Sequence, residues 1–71
     1  MKPLPFRKVR QKLLNAGFFE ADQSGSHVKF AKTSSIGTVT AIVPKHDEIA
    51  SGTLRSILRQ AGLSEKEVSK L

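Results

Sequence analysis

The spacing of hydrophobic positions shifts from a helical period to a strand period and back along the chain. From Phe6 to Ala16 the apolar residues Phe6, Val9, Leu13 and Leu14 fall close to an i, i+3, i+7, i+8 stripe, while Arg7, Lys8, Arg10 and Lys12 take the other face. That is the pattern of a helix with one side against a core. Pro5 suits its first turn, where a missing N–H costs nothing. Asn15-Ala16-Gly17 ends it, with Gly17 free to take a left-handed conformation. Phe18 to Asp22 reads as a first strand, Gln23-Ser24-Gly25 as a turn and Ser26–Lys32 as a second strand. In that second strand Ser26, Val28 and Phe30 fall on one face, and His27, Lys29 and Ala31 on the other. Thr33-Ser34-Ser35 with Gly37 marks the next turn. A third strand runs from Gly37 or Thr38 to Val43, with Val39, Ala41 and Val43 alternating against Thr38, Thr40 and Ile42, and Pro44 ends it.

Lys45 to Ala50 reads as a loop, and Ser51 as the N-cap of a second helix. Leu54, Ile57, Leu58 and Ala61 stand at i, i+3, i+4 and i+7, a clean buried stripe. Gly62 suits the position just past its end, with Leu63 reaching back to Leu58. Ser64 and Glu67 fit a capping box that opens a short terminal helix through Leu71, with Val68 and Leu71 packing back. Short turns between consecutive strands require antiparallel pairing. The predicted fold is therefore α+β: a three-stranded antiparallel meander with two helices packed on one face, plus a short C-terminal helix, in one domain over residues 1–71. If the helices cover the face bearing Val28 and Phe30, the face bearing His27 and Lys29 is left open.

Charge adds a partner class. Twelve Lys and Arg against six Asp and Glu give a net charge of +6 on 71 residues and a pI near 10.2. A small folded chain with that surplus points first to nucleic acid, against the plainer reading of a basic, solvated surface. Without cysteine no disulfide or thiolate site is available. A chain this short buries only about 60% of its unfolded surface, so the core is thin. No apolar run approaches membrane-spanning length and no signal-peptide pattern follows Met1, which excludes a membrane partner and makes the cytoplasm the default.

The candidate chemistry lies at Gly25-Ser26-His27-Val28-Lys29-Phe30. An outward imidazole beside an outward ammonium suits attack on a phosphodiester: the cation binds phosphate and disfavours imidazolium, leaving a base available. Several pieces, in order, then resemble the HicA toxins of toxin–antitoxin pairs. They are Leu13-Leu14 with Gly17-Phe18, Gly25-Ser26-His27 with Phe30, Val43-Pro44-Lys45-His46, and Gly52-Thr53-Leu54 with Ile57-Leu58-Arg59-Gln60-Ala61-Gly62-Leu63. Together they span nearly the whole chain. The resemblance implies a fold like the double-stranded-RNA-binding domain, cleavage of mRNA without the ribosome, and inhibition by a HicB-type antitoxin that covers the catalytic histidine. The family's single catalytic histidine corresponds to His27, and its glycine before the strand to Gly25. Many members carry a second histidine where this chain has Val28, a position on the core side of the strand.

On this reading His27 removes the 2′-hydroxyl proton, the oxyanion attacks the adjacent phosphate, and Lys29 neutralises charge on the phosphoryl oxygens. Gly25 and Ser26 beside it, with Arg7, Lys8 and Arg55 from the helices, complete the expected RNA contacts. His46 is a candidate auxiliary acid only if its loop nears the sheet; capping that loop or facing solvent is the alternative. Arg55 and Arg59 grip phosphate or counter the negative end of their helix. With two histidines and scattered Glu20, Asp22, Asp47 and Glu48, no metal site or other cofactor is expected. Two rival classes fit the same residues: an RNA-binding module that does not cut, and a basic domain that docks an acidic protein.

Overall fold

The computed structural model describes residues 1–71. In chain order it forms α1 (Phe6–Asn15), β1 (Phe19–Ser24), β2 (His27–Ser34), β3 (Gly37–Pro44), α2 (Ser51–Ala61) and α3 (Glu65–Val68). The strands make one antiparallel sheet in the order β1-β2-β3. This is the α+β meander that the residue pattern predicts, and it has helices on either side in sequence. No helix is long and apolar enough to cross a membrane.

One core joins the helices to one face of the sheet. Val9 and Leu13 of α1, Val28 and Phe30 of β2, Ala41 and Val43 of β3, and Leu54, Ile57 and Ala61 of α2 form a single buried cluster. The cluster is apolar throughout, and no polar or charged residue is buried anywhere in the chain. A core built only from one sheet face and two helix stripes leaves the second sheet face bare. The side chains facing out of β2 are therefore exposed by construction.

The helix ends show why the elements stop where they do. Leu63 N–H donates to Leu58 O at 2.9 Å across Gly62, whose φ is 70°. Phe18 N–H donates to Leu13 O at 2.9 Å across Gly17, whose φ is 96°. Both are Schellman closures, in which the residue past the glycine folds back onto the helix and meets its apolar stripe. In α3 the capping box is formed: Ser64 Oγ accepts from Glu67 N–H, and Glu67 Oε1 accepts from Ser64 N–H, each at 3.1 Å.

Some boundaries differ from the expectation. Ser51 is the first helical residue of α2, not its cap; Ala50 precedes it, and no side chain caps the end. The lead-in strand decides this. Leu4 and Ile49 exchange both backbone hydrogen bonds, which holds the chain extended and buries Ile49 before the helix can begin. The terminal helix ends at Val68 rather than Leu71. Lys70 and Leu71 bond three residues back, to Glu67 and Val68, tightening the chain out of α geometry, and Lys12 Nζ donates to Val68 O at 3.1 Å. The first hairpin turn is Gly25-Ser26, so Ser26 lies in the turn and β1 continues through Gln23 and Ser24. Ser24 pairs directly with His27. Only the first central residue, Gly25, has positive φ (58°), the pattern of a II′ turn, which matches the twist of the strands and suits glycine. The second turn is Ser35-Ile36, because Thr33 and Ser34 continue the ladder against Thr38 and Gly37.

Candidate functional site

The register of β2 places His27 and Lys29 on the uncovered face, both exposed, while Val28 and Phe30 between and beyond them are 2% and 0% exposed. Val28, at the position where the resembled family often has a second histidine, is packed into the core. His27 stands between Ser24 of β1 and Pro44 of β3, and Lys29 between Asp22 and Ile42. Directly opposed residues point to the same face. Asp22, Ser24, His27, Lys29 and Ile42 accordingly line one shallow depression of about 220 Å³.

Asp22 and Ser24 reach this face through an irregularity that alternation alone does not reveal. The β1–β2 register shifts between Glu20 and Asp22, so Ala21 is an extra residue in the strand. A β-bulge of this kind re-aims everything beyond it. Glu20 opposes Phe30, whereas Asp22 opposes Lys29 and Ser24 opposes His27. An unbulged strand continuing from Phe19 would have turned Ala21 and Gln23 to the open face instead. Asp22 accepts a hydrogen bond from Gln23 N–H at 2.8 Å, and its carboxylate forms no salt bridge with Lys29.

Ala31, expected on the open face, is only 5% exposed. Its partner across the ladder is Phe19, an exposed aromatic (52%) on the open side that covers the small alanine. Phe18, its chain neighbour, is buried beneath the sheet. The pattern of two adjacent phenylalanines holds no cue as to which one faces out. Ile42 (41% exposed) adds a second apolar side chain to the His27 face.

The other candidate residues are divided between locations. Gly25 and Ser26 form the turn immediately before His27, and Ser26 O accepts from Lys45 N–H at 2.6 Å. The loop after β3 therefore does come to the His27 end of the sheet. His46, however, lines a different concavity, with Pro5, Phe6, Arg7, Lys45 and Asp47, and its carbonyl accepts from Phe6 N–H at 3.0 Å. Lys8 is exposed on α1. Arg55 lies on α2 in the helix layer, away from the open face, with its Nε 3.5 Å from Glu65 Oε1. Arg59 is exposed in the last turn of the same helix.

The cations also divide by task. Lys32 Nζ donates to Ala16 O at 2.7 Å, at the negative end of α1, and Lys12 holds α3. Arg10 pairs with Glu20. Lys29, Arg7 and Lys45 have no ion-pair partner within the chain. No group of three His, Asp or Glu side chains is close enough to share a metal ion.

Chemically, the depression offers an exposed imidazole, a hydroxyl and an ammonium on a rigid ladder, open to a ligand of any length. A family model described as "HicA toxin of bacterial toxin-antitoxin" matches residues 6–63, which run from the first residue of α1 to the residue that closes α2. No curated protein gives a match to the chain.

Proposed function

The chain belongs to the HicA toxin family, and from that premise we propose that it is an endoribonuclease toxin that cuts mRNA at His27. The observation that carries the proposal is the placement of His27 and Lys29 together on the uncovered sheet face. His27 takes the proton of the 2′-hydroxyl before the scissile bond. The oxyanion displaces the 5′-oxygen of the next nucleotide in line, and Lys29 stabilises the charge on the phosphoryl oxygens. RNA alone can be the substrate, since DNA lacks the attacking hydroxyl.

The purified chain, given a defined RNA in excess chelator, is expected to leave 2′,3′-cyclic phosphate and 5′-hydroxyl ends. Fragments with 5′-phosphate ends, or uncut RNA, would refute this chemistry. Intact RNA bound with an affinity that His27→Ala leaves unchanged would support the non-cleaving binding module instead.

The partner that the family implies is a HicB-type antitoxin. The open face suits it: Phe19 and Ile42 expose apolar surface on either side of the β2 residues, and exposed aromatic anchors carry much of the energy of protein interfaces. An antitoxin seated there covers His27. Phe19→Asp should weaken antitoxin binding at least about tenfold, as expected for loss of an interface anchor, with little change in RNA cleavage. Unchanged affinity in a titration of the two purified proteins would place the antitoxin elsewhere.

A further inference from the structure

The depression at His27 is lined by one cation, Lys29, and one carboxylate, Asp22. Their formal charges cancel. A polyanion needs more positive charge than this to be held at physiological salt. The unspent cations nearest His27 along the fold are Arg7 and Lys45, in the concavity between the first turn of α1 and the loop after β3. We infer that this concavity is a second phosphodiester site, which grips the RNA strand beside the phosphate presented to His27. The inference rests on the nuclease reading and adds to it where the substrate runs.

Three features of the concavity support it. It is roomy, at about 580 Å³, and is walled by Arg7, Lys45 and His46 against a single acid, Asp47. Neither Arg7 nor Lys45 is paired with a carboxylate, although Arg10 and Arg55 are. A guanidinium there is free to meet phosphate with two parallel hydrogen bonds, and an ammonium to act as a point charge.

Its position is also fixed relative to His27. Lys45 N–H is bonded to Ser26 O, and Phe6 N–H to His46 O, so the loop is pinned to the hairpin on one side and to α1 on the other. Pro44, one residue before Lys45, stands directly opposite His27. A paired Cα lies about 5 Å away and the next residue about 4 Å further, so the backbones of His27 and Lys45 are within roughly 10 Å. That is the reach of neighbouring phosphates on one strand.

The path between the two sites crosses the Gly25-Ser26 turn. A Cβ built on Gly25 would meet nothing within 4 Å, so the crossing is open and its side chains are the smallest available. His46 then serves as a wall of the second site rather than as the acid for the leaving oxygen.

The test uses the full chain. In a His27→Ala background, Arg7→Gln/Lys45→Gln should bind a single-stranded RNA about tenfold more weakly. The slope of log affinity against log salt should flatten by about one, since each phosphate contact on a single strand contributes roughly 0.7. With His27 intact, the same pair should raise KM for long RNA by a similar factor yet leave cleavage of a dinucleotide, which has one phosphodiester, unchanged. The control Lys66→Gln/Lys70→Gln removes equal charge from residues that line none of this concavity and should leave affinity within about twofold. An unchanged affinity and salt slope in the Arg7/Lys45 pair overturns the second site while His27-dependent cleavage stands. An equal loss in the control overturns it too, reducing the effect to net charge. A wild-type chain that neither binds nor cuts RNA at low salt overturns both readings.

Discussion

His27→Ala should lower the single-turnover rate of RNA cleavage by about 10²–10⁴-fold, the range typical of losing a general base, while affinity for the same RNA changes little. The separation is expected because the imidazole contributes almost nothing to the fold. It is exposed, outside the core cluster and on a face that no helix covers, so a change in stability should stay within about 0.5 kcal/mol. The attractive interactions with RNA are left to Lys29 and to the cations beyond the turn. A companion substrate isolates the same step from the other side: RNA with a single 2′-deoxy nucleotide before the scissile bond should resist the wild-type chain, since it lacks the nucleophile that His27 activates. Cleavage by His27→Ala at the wild-type rate would remove the histidine from the mechanism. Cleavage of the deoxy-substituted RNA at the same bond would remove the 2′-hydroxyl.

Phe30→Ala should have the largest effect on stability, about 3–5 kcal/mol, as for a fully buried aromatic truncated to alanine. Phe30 is fully buried in the middle strand, between Glu20 and Ala41 in the ladder. Its ring lies 6.4 Å from that of Phe6 at a tilt of 43°, so it ties α1 to the sheet. A chain of this length has a total stability of only about 4–11 kcal/mol, and its thin core holds no second aromatic of comparable centrality to take up the loss. Urea denaturation followed by circular dichroism should show the midpoint collapsing toward zero denaturant. A loss below about 1 kcal/mol would mean the core can close around the missing ring, and that the sheet is held chiefly by its hairpins. The contrast with His27→Ala is informative because the two residues are three apart on one strand but on opposite faces. One substitution should abolish chemistry and spare the fold, and the other should do the reverse.

The parts of the fold legible in the residue pattern are those in which local chemistry and burial agree. The Leu54, Ile57, Leu58 and Ala61 stripe, the glycine closures at Gly17 and Gly62, and the Ser64–Glu67 box are each set by residues within one turn of one another. The alternation of His27, Val28, Lys29 and Phe30 follows from having one apolar face to bury. Where expectation and structure part, a distant partner intervenes: Ile49 is held by Leu4, Val68 by Lys12, and Ser34 by Gly37 across the ladder.

By itself the sequence determined the order of elements, the buried faces and the exposure of His27, because these depend on periodicity and on near-neighbour capping. It also contained the ordered motifs of the HicA family. Only the tertiary structure decided what surrounds the imidazole. The bulge at Ala21 turns Asp22 and Ser24 toward it, a one-residue change of register that polar residues on an edge strand do not announce. The pinning of the β3 loop between Ser26 and Phe6 draws Lys45 to the same end of the sheet and places His46 among Arg7 and Lys45. These are relations between backbones far apart in sequence, set by which hydrogen bonds survive when the core closes, and no spacing within the chain encodes them.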